Sequence, residues 1–149
     1  VNSRCEKCEE NCDICYNNNI CNKCSLPLNL YNEDCLQNCP IGYVDVNGVC
    51  IRCPENCGSC NKDINKCFTC INETLLYEKQ CVHECPYYGY FADEINGEKV
   101  CSKCNSDCAT CINKDLCTSC NQGLHLQFVN NKEGTCQNEC SESFVSINN

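Results

Sequence analysis

Twenty-four of the chain's 149 residues are cysteine, and their spacing constrains the fold more than any other feature. From Cys5 to Cys39 eight cysteines are separated by 2, 3, 2, 5, 2, 10 and 3 residues. From Cys50 to Cys85 the gaps are 2, 3, 2, 6, 2, 10 and 3, and from Cys101 to Cys140 they are 2, 3, 2, 5, 2, 15 and 3. Every cysteine belongs to one of three copies of an eight-cysteine unit, which divides the chain into repeats at 1–49, 50–100 and 101–149. Self-similarity at such a period marks a serial array, in which each unit is held chiefly by its sequence neighbours.

Cysteine must also stand in for a core. Hydrophobic residues make up 42% of the chain, but that figure counts the cysteines themselves. Leu, Ile, Val and Phe together number 30, near the level below which a chain buries too little apolar surface to offset its conformational entropy. Chains of this composition depend on covalent or metal cross-links.

The stretch CEKCEENCDICYNNNICNKC, Cys5 to Cys24, holds three C-x-x-C pairs, and such pairs serve three chemistries. Zinc knuckles use them, but each repeat would need two four-thiolate sites, successive pairs are only three to six residues apart, and the chain has 2 histidines. A thioredoxin-type redox pair needs a helix N-terminus to lower its thiol pKa, whereas these pairs sit in turn-rich sequence with no βαβ context. Disulfides are the favoured reading. A link closing a loop of about 8–12 residues contributes roughly 2.5–3 kcal/mol in the chain-entropy model, and a ladder of them places the chain in the secretory pathway or outside the cell.

The remaining residues point to short β-hairpins. Between the sixth and seventh cysteines lie the strand-like pieces Leu28–Tyr31, Leu75–Tyr77 and Leu124–Leu126. After the eighth cysteine, CPIGYVDVNGVC (Cys39–Cys50) and CPYYGYFADEINGEKVC (Cys85–Cys101) each carry an Asn-Gly pair, Asn47-Gly48 and Asn96-Gly97, among β-formers. That is the strongest short-range hairpin signal. No helix longer than one or two turns is expected. The third repeat departs from the pattern, with Ser141 in place of proline after Cys140.

The cysteine pattern, together with C-P-x-G-Y at Cys39–Tyr43, resembles the furin-like cysteine-rich repeat found in growth-factor receptor ectodomains, proprotein convertase cysteine-rich regions, and surface proteins of ciliates and other protists. The resemblance covers essentially the whole chain and is weakest after Cys136. It implies interlocked bridges Cys8–Cys15 and Cys12–Cys21, then Cys24–Cys35 and Cys39–Cys50. In the second repeat it implies Cys53–Cys60, Cys57–Cys67, Cys70–Cys81 and Cys85–Cys101, and in the third Cys104–Cys111, Cys108–Cys117 and Cys120–Cys136. Each C-x-x-C at the start of a repeat then becomes a boundary between modules. Cys5 and Cys140 are left over, the first wanting the eighth cysteine of a preceding repeat and the second the first cysteine of a following one. With no methionine in the chain, the expectation is a mature product or a segment of a longer array. Where two such chains meet, Cys140 of one bonding Cys5 of the next would make a head-to-tail filament. The Asn-rich sequence leans toward a protist source.

Other features are set against simpler explanations. Asn72-Glu73-Thr74 is the only N-x-[ST] sequon and a glycosylation candidate, the alternative being an unmodified polar loop. Tyr87 and Tyr88 are interface candidates, whereas Tyr90 aligns with Tyr43 and Phe144 and is expected to pack inside its own module. His83 and His125 are isolated, and the acidic pairs Glu9-Glu10, Glu33-Asp34 and Asp93-Glu94 lack the alternating pattern of a calcium loop. No catalytic residue, metal or cofactor is expected. The net charge of −9 argues against nucleic acid, and no apolar run reaches membrane-spanning length.

The sequence therefore describes a small disulfide-rich fold, mostly irregular with short β-hairpins: an elongated rod of three tandem repeats. Its expected role is that of an extracellular structural protein, a spacer or building block of a coat or filament. Its expected partners are itself or flanking repeats, with head-to-tail and lateral contacts. The alternative is a receptor or protease-associated segment that binds another extracellular protein, and a multi-zinc protein comes third. Alkylation under denaturing, non-reducing conditions followed by mass measurement separates these. Two modified thiols support the disulfide rod, a ladder of multiples that collapses on reduction makes Cys5 and Cys140 a polymer joint, and wholesale alkylation returns the cysteines to metal.

Overall fold

The computed structural model describes residues 4–142 and 145, and the described residues contain β-strands and no helix. They form two compact units, Val1–Ile71 and Asn72–Asn149, whose boundary falls inside the second sequence repeat.

In the first unit, β1 (Cys12–Asn17) and β2 (Ile20–Cys24) form a hairpin of their own. β3 (Asn29–Tyr31), β4 (Asp34–Leu36), β5 (Tyr43–Val46) and β6 (Val49–Arg52) form a four-stranded sheet in the order β4-β3-β6-β5. This sheet is two hairpins side by side, joined by a short parallel contact between Leu30 and Val49. β7 (Cys57–Cys60) and β8 (Cys67–Cys70) form a second isolated hairpin.

The second unit repeats the arrangement. β9 (Leu75–Tyr77), β10 (Gln80–Val82), β11 (Tyr90–Ile95) and β12 (Glu98–Lys103) are ordered β10-β9-β12-β11, with Val100 against Leu76 as the parallel contact. β13 (Cys108–Cys111), β14 (Cys117–Cys120), β15 (His125–Phe128) and β16 (Gly134–Gln137) follow in the order β13-β14-β16-β15. Here the longer cysteine gap lets β16 reach back to β14, pairing Gly134 with Cys117. Gly134 also faces Phe128 across the β15–β16 hairpin. A Cβ at Gly134 would lie 2.0 Å from the Gln127 carbonyl oxygen, so only glycine fits between these backbones.

Four two-residue loops with paired positive φ set the registers of the hairpins in the sheets headed by β3 and β9. Asn47-Gly48 (φ 54° and 80°) and Asn96-Gly97 (φ 53° and 82°) have the paired positive φ of a type I′ turn, whose twist matches the flanking strands. Asn32-Glu33 (φ 46° and 75°) and Glu78-Lys79 (φ 46° and 68°) adopt the same shape with no glycine at all. Only the first two loops carry an Asn-Gly signal in the sequence, because Glu and Lys give no sign of a left-handed backbone.

The three hairpins β1–β2, β7–β8 and β13–β14 share one bulged register. Cys12 faces Cys24, Cys57 faces Cys70 and Cys108 faces Cys120, and two register shifts later Cys15, Cys60 and Cys111 face Cys21, Cys67 and Cys117. The bulge adds local twist, and in the second and third copies a hydroxyl pair bridges it. Ser59 Oγ lies 2.7 Å from Thr69 Oγ1, and Thr110 Oγ1 lies 2.6 Å from Ser119 Oγ.

The core consists of sulfur. Among the described residues the buried apolar ones are Cys21, Cys24, Cys50, Cys53, Cys57, Cys60, Cys67, Cys108, Cys117 and a single leucine, Leu75. By contrast Ile41, Tyr16 and Leu26 are more than four-fifths exposed.

Two substitutions test this account. Converting Glu78-Lys79 to Asn-Gly is expected to raise the unfolding free energy by about 0.5–1 kcal/mol, read by guanidinium denaturation with disulfides intact. No gain would mean that the loop is not strained. Gly134→Ala is expected to cost on the order of 2 kcal/mol or more. It should strip amide exchange protection from residues 125–137 while leaving β11 and β12 protected.

Candidate functional site

Each disulfide is placed by the hairpin that carries it. In the first unit the bridges are Cys8–Cys15, Cys12–Cys21, Cys24–Cys35, Cys39–Cys50, Cys53–Cys60 and Cys57–Cys67. In the second they are Cys85–Cys101, Cys104–Cys111, Cys108–Cys117 and Cys120–Cys136. Cys70 and Cys81 are likewise disulfide-bonded. Bridging Cα atoms lie between 5.1 Å (Cys108–Cys117) and 5.9 Å (Cys104–Cys111) apart, inside the ordinary range for disulfides. Cysteines directly opposite in the bulged hairpins are not bonded to each other. Cys12 reaches diagonally to Cys21, past its facing residue Cys24, and the Cys8–Cys15 bridge interlocks with it. No C-x-x-C pair closes on itself. Sulfurs of neighbouring bridges crowd together, those of Cys21, Cys24 and Cys35 lying within 4.8 Å of one another, as do those of Cys108, Cys117 and Cys136. A metal site would need thiolates there, and all six sulfurs are oxidised.

The junction between successive repeats is built twice from the same parts. Residues Pro40–Tyr43 make a tight turn closed by the Tyr43 N–H donating to the Pro40 carbonyl at 3.0 Å, with Gly42 at φ 85°. That is the position at which a type II turn requires glycine. The Gly42 N–H donates to the Gly58 carbonyl at 2.7 Å, and the Gly42 carbonyl accepts from the Cys53 N–H at 2.8 Å. In the second unit Gly89 (φ 77°) repeats the contact, donating to the Ala109 carbonyl at 2.8 Å and accepting from the Cys104 N–H at 2.9 Å. Beside each clasp a disulfide, Cys39–Cys50 or Cys85–Cys101, ties the turn to the first cysteine of the next repeat. The glycine of C-P-x-G-Y is thus a joint residue, a role that the sequence pattern alone did not single out.

The residue before each joint glycine faces solvent. Ile41 is 81% exposed and Tyr88 71% exposed. Tyr87, also exposed, stands edge-on to Tyr88 with ring centroids 4.9 Å apart. Tyr88 borders an open groove of about 490 Å³ that also involves Gly89, Tyr90, Lys103, Asn105 and Asn121. Tyr31, Tyr43, Tyr77 and Tyr90 instead pack in pairs on the four-stranded sheets. Tyr31 packs edge-on to Tyr43 at 4.9 Å, and Tyr77 to Tyr90 at 5.0 Å. Their mutual hydroxyl hydrogen bonds, with partial burial, raise the Tyr31 pKa above its usual 10.0 and the Tyr77 pKa to about 12. Tyr90 therefore packs within the four-stranded sheet of its own unit, while Phe144 lies outside the described residues.

The other candidates are dispersed. Cys5 is an exposed free thiol and Cys140 a half-buried one. Asn72 has its side chain at the surface, with Thr74 of the same sequon 2% exposed and Glu73 paired to Lys99. His83 is exposed and His125 half-buried. The acidic pairs Glu9-Glu10 and Glu33-Asp34 converge on one polar hollow of about 220 Å³ in the first unit, a convergence the sequence did not show. Asp93 is instead engaged by the Ser102 hydroxyl at 2.7 Å.

No protein-family model matches the chain. Curated relatives do. The chain is 31% identical over 150 residues to Furin-like protease 2 of Drosophila melanogaster, a match covering 95% of this chain and 8% of that protein. It is 31% identical over 111 residues to Cysteine repeat modular protein 2 of Tetrahymena thermophila, covering 72% of this chain and 6% of the relative. R-spondin-3 of Bos taurus is 32% identical over 106 residues, covering 64% of this chain and 36% of the relative. The chain thus spans less than a tenth of the length of the first two. Relatives with such different names share the repeat itself, and this cysteine-rich segment is non-enzymatic and extracellular or at the cell surface. The three eight-cysteine units are furin-like cysteine-rich repeats, and the chain belongs to the family defined by them.

Proposed function

We propose that the chain is a structural segment of an extracellular protein: a disulfide-stapled rod whose three repeats act as a spacer or as a building block of a surface coat or filament. The observation that carries this reading is the repeated joint. Gly42 and Gly89 make the same pair of backbone hydrogen bonds to the following repeat, so the step from repeats 1 to 2 and from 2 to 3 has one local geometry. An array that adds units by one fixed step extends along a line or a helix. Bridges in place of a core resist unfolding outside the cell, and the net charge of −9 keeps such surfaces apart and in solution. Head-to-tail joining through Cys140 and Cys5, and lateral contact between rods, belong to this proposal.

A second reading has its own observation. The exposed Tyr87–Tyr88 pair beside the groove at Gly89 has the aromatic character common at protein interfaces, and it favours a segment that binds another extracellular protein.

Small-angle scattering separates a rod from a folded-back form. A compact chain of 149 residues has a radius of gyration of about 15 Å. The rod is expected to give a value well above that and a linear cross-sectional Guinier region, and a value near 15 Å would reject it. Replacing Tyr87 and Tyr88 by serine should leave the scattering unchanged.

A further inference from the structure

We propose that Asn72 is an N-glycosylation site whose acceptor is open to the transferase only before the second repeat folds. The inference rests on passage of the chain through the secretory pathway and not on the rod reading. Two comparisons among the repeats carry it. First, the second residue after the sixth cysteine is Leu26, Asn72 or Gln122, and each stands in a turn and is exposed, Leu26 by 87%. The fold therefore gives this position room for a bulky polar group in every copy, and the second repeat alone places asparagine there. Second, the fourth residue after that cysteine is Leu28 in the first repeat and Leu124 in the third, both half-buried, whereas the second repeat has Thr74, 2% exposed. An apolar residue is the usual occupant of such a position, and a hydroxyl placed there has to be paired. The sequon Asn72-Glu73-Thr74 needs that hydroxyl, which accounts for the polar exception to the repeat.

The folded turn withholds the acceptor. Asn72 and Glu73 lie at φ 57° and 60°, in the left-handed region. Glu73 is paired with Lys99 of β12, and β9 begins at Leu75, one residue after the sequon, and pairs with β10. A transferase must reach the Asn72 amide and the Thr74 hydroxyl together, and here the asparagine is exposed while the threonine is covered. Transfer is thus confined to the unfolded chain or to local openings of this turn. In the step itself the Asn72 amide nitrogen attacks the anomeric carbon of an oligosaccharide carried on a lipid diphosphate, the donor used in the secretory pathway. The C–N bond forms, and the C–O bond to the diphosphate breaks with its electron pair leaving on the lipid diphosphate. The nitrogen gives one proton to a base of the transferase. After folding, the sugar projects from the exposed side of the turn and displaces no buried residue.

Two measurements test the site and the order of events separately. The full chain is secreted from a cultured eukaryotic cell line, and the glycan is released by a peptide N-glycosidase, which converts the modified Asn72 to aspartate for peptide mapping. Wild type is expected to carry the glycan there, and N72Q to lack it while keeping every native bridge in a non-reducing map. An unmodified Asn72 in the secreted chain would overturn the site. For the order, unglycosylated full chain with its native bridges is incubated with a purified oligosaccharyltransferase and the lipid-diphosphate donor, beside the same chain reduced and alkylated. The reduced chain is expected to be modified at least about tenfold faster, because the folded one exposes Thr74 only by local opening. T74S should keep the modification of the reduced chain and T74A should lose it. Equal rates in the two forms would overturn the order, and a reduced chain that is never modified, or T74A that still is, would overturn the site. None of these outcomes bears on the scattering, so the rod reading stands or falls by itself.

Discussion

The structure depends on one covalent constraint, the interlocked pair of disulfides at the head of each repeat. Cys8–Cys15 and Cys12–Cys21 cross on a hairpin whose bulge offsets the facing cysteines, and Cys53–Cys60 with Cys57–Cys67 repeat the crossing. A two-stranded hairpin of this length has little stability in water. Bridges over such short loops remove much of the unfolded chain's freedom, and their sulfurs are also the best buried apolar atoms, Cys57 and Cys67 above all. One residue type thus supplies both the entropy restriction and the burial that a larger domain divides between topology and core.

The joint follows from that economy. Among the described residues, each connection between neighbouring repeats carries a pair of backbone hydrogen bonds and one bridge. The connection therefore needs a residue that reaches a left-handed conformation cheaply, and Gly42 and Gly89 meet that need. The same shortage of apolar material leaves Ile41, Tyr87 and Tyr88 in solvent. In a chain with an ordinary core such residues would be drawn inward; here the buried apolar positions among the described residues are taken almost entirely by cysteine.

Much of this was legible in the sequence because it was written in residues whose backbone demands are narrow. The cysteine gaps fixed the repeat, and Asn47-Gly48 and Asn96-Gly97 marked their turns. The turns at Asn32-Glu33 and Glu78-Lys79 were not legible, since there the left-handed backbone is imposed by the disulfides and pairing around it rather than preferred by the side chains. The contact of β16 with β14 was hidden for a related reason. Gly134 reads as a loop glycine, and its need for a missing Cβ arises only when Gln127 and Phe128 are brought beside it. The acidic hollow, which joins Glu9-Glu10 to Glu33-Asp34, depends on how the first two hairpins sit together, and no local pattern encodes that.

A fold held by sulfur and glycine places few demands on its other residues. Outside the cysteines, the joint glycines and the paired tyrosines, most side chains are exposed or half-exposed and free to vary without loss of the scaffold. This explains how relatives with names as different as a furin-like protease, a cysteine repeat modular protein and an R-spondin can share 31–32% identity with this chain. It also shifts the question of function from the fold to its few departures from periodicity. In this chain they are the extra tyrosine at Tyr87, the long third-repeat loop closed on Gly134, and a tail with serine where the joint wants glycine. Each of these changes the residues that one repeat presents relative to the next, while the cysteine spacing that builds the scaffold is kept.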